Sequence, residues 1–328
     1  MKLENFTPFI GEHCETTATG SILQHIGLNL SEPMLFGLGQ GLSFIYWKMK
    51  TMPFPFFGGR IKADEITKNI CFNLNLKLEM KETTSLKKAW KNAIEALEDN
   101  KPVGIKLDCY HLEYFIKKVH FAAHYVCMHG YDDENVFVVD TKPQGSAAKT
   151  SHKNFALARN EKGPMSSRNL SYTIDLTPNT KKPQDVILNA IKANAINYLN
   201  PPIKNIGFRG IEKASKEIYK WFNTSKDITT EFEVCGRLME VAGTGGALFR
   251  NLYRDFLKES YELLKLDFLH KAYQDFIEIA KLWNQVSKLF DDVSKTKDIK
   301  YLDKASETLK NIAQKEKVVM EYLLENIK

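Results

Sequence analysis

In residues 1–180 the spacing of apolar positions alternates between the two-residue period of a strand and the 3.6-residue period of a helix. After about 183 only the helical period remains. Residues 14–26 (CETTATGSILQHI) lack proline, and Ala18, Ile22 and Ile26 recur at helical spacing. Ser31 followed by Pro33 predicts a second helix start. LSFIYW (42–47) is rich in strand formers, and NLNLKLEM (73–80) alternates as a half-buried strand does. SLKKAWKNAIEALEDN (85–100) places Leu86, Trp90, Ala93, Ile94 and Leu97 on one helical face, with Ser85 as N-cap. PVGIKL (102–107), HYVCMHGY (124–131) and NVFVVD (135–140) read as strands, with YDDEN as the turn joining the last two. The polar, basic stretch 141–170 reads as a loop or linker, and SYTIDL (171–176) as one more strand. Helical faces follow over 185–199, 207–222, 228–265, 268–294 and 300–327, punctuated by Pro201–Pro202 and by Gly243-Thr244-Gly245-Gly246. No internal repeat is visible. The expected fold class is α+β, with an α+β domain over 1–180 and a mostly helical domain over 181–328.

Composition narrows the class. Apolar content of 43% and charged content of 26% are ordinary for a globular chain. No stretch reaches the roughly 18 consecutive apolar residues of a membrane helix. The start of the sequence lacks the basic-then-apolar pattern of a secretory signal, so a cytoplasmic location is expected. The five cysteines form no close pair, which argues against a disulfide framework or a structural zinc knuckle. The net charge of +6 is unevenly spread. Residues 1–150 carry 17 basic and 17 acidic side chains, whereas 142–226 carry 15 basic and 5 acidic. Such a local field attracts an acidic partner. No nucleic-acid motif accompanies it, and neither nucleic acid nor membrane is an expected partner.

Candidate chemistry centres on Cys14, at the first turn of a predicted helix. There backbone N–H groups and the helix dipole favour a thiolate and, in turn, an oxyanion. His124 begins one predicted strand and Asp140 ends the next, so a two-strand meander can set them side by side. Thiolate to attack, imidazole to move the proton and carboxylate to align the ring form a complete nucleophilic set. His13, beside the nucleophile, is an alternative base or a pocket wall, and His129 should point to the opposite face of the strand. His120 and His124 have the i, i+4 spacing of zinc ligands on a helix. Their segment reads as a strand and no third ligand is evident, so no metal is expected. GTGGALFR (243–250) lacks the ending of a phosphate-binding loop and has no strand before it; its glycines suit a sharp turn or close helix packing. Arg250 and Tyr253 follow it as candidate cleft residues, with Glu240 as a possible partner for Arg250.

Three segments resemble a known family. GEHCETTATGSILQHIGLNLSEPMLFGLGQGLSFIY (11–46) and FAAHYVCMHGYDDENVFVVD (121–140) resemble the N-terminal domain of the butirosin-biosynthesis BtrH acyltransferase family, and MEVAGTGGALFRNLYRDFLKES (239–260) resembles the helical domain that accompanies it. A condensing enzyme of the closthioamide pathway is also similar. The resemblance implies a papain-like cysteine-peptidase-type N-terminal domain, with Cys14 as nucleophile, His124 as base and Asp140 as orienting group. It further implies amide-forming transfer of an acyl group from a carrier-protein thioester, through Cys14, to an amine during antibiotic assembly. The alternative is a papain-like cysteine peptidase or amidase. One departure bears on that choice. Papain-like enzymes carry a glutamine five or six residues before the cysteine as an oxyanion donor, whereas Pro8 and Phe9 stand here, so the Cys14 N–H or His13 must contribute instead.

For such a reaction no resident cofactor is expected, since phosphopantetheine arrives on the donor. The expected partners are an acidic acyl or peptidyl carrier protein and a small amine. Glu15 and Glu32 are candidates to hold the amine. Trp47, Met52, Phe54, Phe56 and Phe57, in a Pro/Gly-punctuated aromatic stretch, either line an acyl tunnel or simply cover the core.

Overall fold

The computed structural model describes residues 1–50, 52–163 and 165–327. It is α+β and divides into two compact units: Met1–Leu35 with Ala63–Lys181, and Phe36–Lys62 with Lys182–Lys328. The expected division lay at 180/181, and the chain passes between the units at 35/36, 62/63 and 181/182. Residues 36–62, expected in the first domain, belong instead to the second unit.

The first unit is built on a six-stranded antiparallel sheet of order β3-β8-β4-β5-β6-β7. Its strands are β3 (Lys77–Lys81), β4 (Val103–Leu107), β5 (His124–Tyr131), β6 (Asn135–Val139), β7 (Ala147–Ser151) and β8 (Ser171–Asp175). The β5–β6 turn forms because Asp132 Oδ1 accepts the N–H groups of Glu134 and Asn135, at 2.9 and 2.6 Å. On one sheet face Ile105, Val126, Met128, Val136 and Val138 pack with Ala93 and Leu97 of α4 (Leu86–Glu98) and with Phe155 and Ala158 of α5 (His152–Asn160). Ser85 caps α4 as expected, accepting from the Lys88 N–H at 3.2 Å.

α1 (Cys14–His25) packs against the same sheet, and Thr19 Oγ1 lies 3.0 Å from the Tyr172 hydroxyl of β8. Every residue from Cys14 to Leu23 is buried, so this helix has no solvent face. Its polar side chains are answered internally. Ser21 Oγ donates to Thr17 O at 2.9 Å, and Thr19 meets Thr67 of α3 (Glu65–Leu74) at 2.8 Å.

Two expectations need correction here. The stretch 141–170 is not a plain loop, since β7 and α5 lie within it. The alternating run 73–80 is strand only from Lys77; Asn73 and Leu74 finish α3, and Asn75 turns the chain with a left-handed φ of 54°.

Among the described residues, the second unit pairs the hairpin of β1 (Leu42–Trp47) and β2 (Phe56–Arg60) with six α-helices that lie wholly within it. These are α6 (Ile187–Leu199), α7 (Gly207–Thr224), α8 (Ile228–Val241), α9 (Arg250–Leu264), α10 (Asp267–Thr296) and α11 (Ile299–Asn326). The hairpin joins them through backbone and aromatic contacts. Tyr46 N–H donates to Asn205 O at 2.9 Å, Asn194 Nδ2 donates to Leu42 O at 2.8 Å, and Phe44 stacks on Trp283 at 5.5 Å. No helix among the described residues is long and apolar enough to cross a membrane.

The expected helix over 228–265 is broken at 242–249. Gly243, Gly245 and Gly246 take φ of 68°, 64° and 84°, and Ala247, Leu248 and Phe249 also sit in the left-handed region, at 48°, 49° and 73°. For non-glycine residues that conformation costs roughly 1–2 kcal/mol each. Hydrogen bonds hold the turn: Ala247 N–H donates to Glu240 Oε2 at 3.0 Å, and Asn251 Nδ2 donates to Gly245 O at 2.9 Å. Glu240 therefore caps this turn and does not pair with Arg250.

Arg250 is fully buried and forms a two-pronged pair with Glu316 of α11, Nε–Oε1 and Nη2–Oε2 both at 2.8 Å. Trp283 Nε1 donates to Glu316 Oε1 at 2.8 Å, the Tyr198 hydroxyl donates to Oε2, and the guanidinium lies 4.8 Å from the Trp283 ring centre. Four helices thus meet on one carboxylate. Removing one partner of such a pair strands a buried charge. Glu316→Ala is expected to lower unfolding stability by about 3–5 kcal/mol, and Tyr198→Phe, which removes one hydrogen bond to a charged acceptor, by about 1.5–3 kcal/mol. Urea melts of the two variants check this, and equal losses would contradict it.

Candidate active site

The chain leading into α1 is held before the helix begins. His13 is extended, with φ −99° and ψ 134°, and its carbonyl accepts the Thr17 N–H at 2.9 Å and the Thr17 hydroxyl at 2.7 Å. The N-cap side chain makes no capping bond. Glu32, first residue of α2 (Glu32–Leu38), does comparable work from a distance. Its carboxylate accepts the N–H groups of Glu12 and His13 and the Thr16 hydroxyl, each at 2.8 Å. Burial pushes the Glu32 carboxyl up from the usual carboxylate range, and these three donors hold part of that rise back. Cys14 is thereby fixed as the first helical residue, where backbone N–H groups lack intrahelical acceptors.

At the N-terminus of β5, His124 Nε2 lies 2.9 and 2.8 Å from the two oxygens of Asp140, which follows β6. The register explains the proximity, since Cys127 pairs with Val139 and the two strand ends therefore face each other. Cys14 stands at the start of α1, which packs against β5, and its sulfur acts electrostatically on the imidazole. Asp140 is fully buried, whereas Cys14 and His124 each retain 7% exposure. Its carboxylate also accepts the Tyr114 hydroxyl at 2.8 Å and the Thr141 N–H at 2.6 Å. Burial opposes charge on His124, but the Asp140 carboxylate and the Cys14 sulfur outweigh it and raise the imidazole well above 6.5. The Phe115 ring stands edge-on to it at 5.4 Å.

The other cysteines are differently placed. Burial pushes the Cys71 thiol up to about 12 and raises Cys109, Cys127 and Cys235 as well. None of these four has a thiolate to offer near neutral pH.

The remaining predicted site residues separate into three groups. His13 is buried beside Cys14, with Nδ1 3.4 Å from Thr16 Oγ1. Glu15 and Glu32 were expected to hold an amine. Glu15 is instead fully buried, accepting the Thr67 N–H at 3.1 Å and the Thr67 hydroxyl at 3.2 Å, and Glu32 is occupied by the chain before Cys14. Trp47, Phe54, Phe56, Arg250 and Tyr253 lie in the second unit. There Trp47 and Phe56 are exposed, Phe54 stacks on Trp221 at 6.4 Å, and Tyr253 packs in the core against Phe256 and Phe276. Arg250 is a core ion-pair partner, as described above. Of the two histidines at zinc-ligand spacing, His124 Nε2 faces Asp140 and His120 Nδ1 lies 3.0 Å from Asp108 Oδ2.

Sequence reading missed Tyr114 and Phe115, which reach the Asp140–His124 pair from the segment between β4 and β5. It also missed the holding role of Glu32. The only local signal for the first two was an aromatic pair in an otherwise polar connection ahead of the histidine strand.

Comparison with known proteins adds family membership. Residues 13–141 match the family described as "Butirosin biosynthesis protein H, N-terminal". A solved chain described as a C39-like peptidase from Bacillus anthracis is similar over 55% of this chain and 100% of its own, with 18% sequence identity and a TM-score of 0.39. Among curated proteins none matches. Residues 153–323, more than half of the chain, match the family described as "Domain of unknown function (DUF4872)", and the protein belongs to that family.

Proposed function

We propose that the protein is an amide-forming acyltransferase that carries an acyl group on Cys14 between a carrier-protein thioester and an amine, in antibiotic-type biosynthesis. The observation that carries this reading is a cysteine at the start of α1, a helix packed on β5, with His124 at the head of that strand aligned by the sealed Asp140 carboxylate. The match to the butirosin-protein N-terminal family supports the biosynthetic setting.

In the first step the Cys14 thiolate attacks the thioester carbonyl. A C–S bond to Cys14 forms, the bond to the pantetheine sulfur breaks, and His124 gives its proton to the departing thiolate. The Cys14 N–H, at the start of α1, is the donor for the oxyanion. In the second step the amine attacks the acyl-enzyme, neutral His124 accepts the amine proton, and Cys14 leaves as thiolate to restore the ion pair. Exchange of one thioester for another is nearly thermoneutral, whereas amide formation is downhill, so direction comes from the acceptor. The 15 basic against 5 acidic residues over 142–226 suit docking of an acidic carrier.

Intact-protein mass spectrometry tests the reading. Incubation with an acyl carrier protein should add the acyl mass to wild type and not to Cys14→Ala, and an added amine should discharge it as amide. Discharge at the same rate by water alone would make the protein a hydrolase, and an unmodified wild type would remove the nucleophile altogether.

The raised imidazole predicts a pH dependence. His124 is protonated below its folded-state value, so single-turnover acylation should lose rate only as pH climbs well above 6.5. In Asp140→Asn the carboxylate charge that raises the ring is gone. The falling limb should move to lower pH, with the optimum rate down roughly 10²–10⁴-fold. An unmoved limb would exclude Asp140 from this role. Tyr114→Phe removes a hydrogen bond to a charged acceptor, worth about 1.5–3 kcal/mol. It should lower kcat about tenfold or more with KM little changed, and a change confined to KM would show that Tyr114 contacts substrate instead.

A further inference from the structure

We propose that His111, His120 and Glu161 form a binding site for a divalent transition-metal ion of the zinc class, which clasps the base of the segment carrying Tyr114 and Phe115. One ligand atom from each of the three lies within 4.8 Å of the others. His111 ends the one-turn 3-10 helix Cys109–His111, His120 stands four residues before β5, and Glu161 follows α5. His111 Nε2 is 2.7 Å from Glu161 Oε2, so these two donors already point at one spot.

The second observation concerns how His120 is aimed. Its Nδ1 lies 3.0 Å from Asp108 Oδ2, and its ring stacks on Tyr110 at 3.9 Å and 11°. Asp108 is itself buried, with Oδ1 accepting the N–H groups of Tyr110 and Phe121 at 2.9 and 3.0 Å. A histidine whose one nitrogen is bound to a fixed carboxylate has its tautomer set and its other nitrogen directed outward, as in metal sites with an outer carboxylate. A His–Glu hydrogen bond alone is an ordinary surface pair. The aligned His120 beside it is what turns the pair into a ligand set.

The donors are two imidazoles and one carboxylate, a set that suits zinc and its neighbours and leaves the fourth position to water. Around an ion with bonds of about 2.0–2.1 Å, tetrahedral donors stand roughly 3.3 Å apart. The cluster must therefore close by about 1.5 Å at most. The His120 side chain, 58% exposed, has room to rotate by that amount. Binding exchanges the His111–Glu161 hydrogen bond for two bonds to the metal, the neutral ring keeping its one N–H by moving it from Nε2 to Nδ1. Because residues 111 and 120 flank Tyr114 and Phe115, the ion would tie down both ends of the segment that contacts Asp140 and His124.

The test uses the full chain without an affinity tag, stripped of metal by chelator and desalted. Zn²⁺ titration against a competing indicator should give one equivalent bound to wild type and to Cys14→Ala. His120→Ala and Glu161→Gln should each weaken binding by more than about tenfold, and Asp108→Asn by about 10–100-fold. Far-ultraviolet circular dichroism should show all variants folded, and His120→Ala, an exposed position, stands alone should the buried Asp108 variant unfold. The Co²⁺ form should show d–d absorption without a sulfur-to-cobalt charge-transfer band. Wild-type affinity in His120→Ala, a sulfur-to-cobalt band that disappears in Cys14→Ala, or no bound equivalent in wild type would each overturn the proposal.

Discussion

A carboxylate sealed from water must find its donors inside the protein, and Asp140 finds three: the His124 ring, the Tyr114 hydroxyl and the Thr141 N–H. Each donor constrains the first unit. The His124 bond requires β5 and β6 to be neighbours in a register that brings their ends together. The Tyr114 bond requires the connection after β4 to double back over that end, which also delivers Phe115 to the imidazole. A buried charge without such company costs several kcal/mol. With it, the charge raises the pKa of a ring that burial alone would lower.

The second unit contains the same physics with a different outcome. Glu316 is equally sealed and is met by Arg250, Trp283 and Tyr198. There the counter-charge is a guanidinium, which does not release its proton. That network can only fix how four helices pack. At Asp140 the counter-charge is an imidazole with slight access to solvent, and the same arrangement becomes one through which a proton can move.

Legibility in the sequence followed the range of the interaction. Long helices announced themselves through their apolar stripes, and Ser85 and Ser31 marked true starts, since both accept from backbone N–H groups in the first turn. Strands β1, β4, β5, β6 and β8 stood out by composition. β7 did not, because AAKTS lacks bulky strand formers and owes its state to pairing with β6. α5 is only nine residues long, and α3 runs directly into a strand-like alternation that masks its end. β2 was hidden in a Pro- and Gly-containing aromatic stretch whose partner, β1, settles its conformation. Among site residues, Cys14, His124 and Asp140 could be picked out by type, order and family likeness. Glu32 and Tyr114 could not, because each acts on groups 16 to 26 positions away that no local pattern connects.

The burial of α1 on every side has an evolutionary consequence. A helix with one wet face can drift along that face, but ten successive positions of α1 face protein, and its threonines and serine are spoken for by specific acceptors. The element that presents the sulfur therefore has almost no neutral sequence space. Under the proposed reaction, diversification toward new substrates would be written elsewhere, and the connection ahead of β5 offers the latitude: Ile116 and Val119 lie out in solvent a few positions from Phe115, whose ring stands against His124.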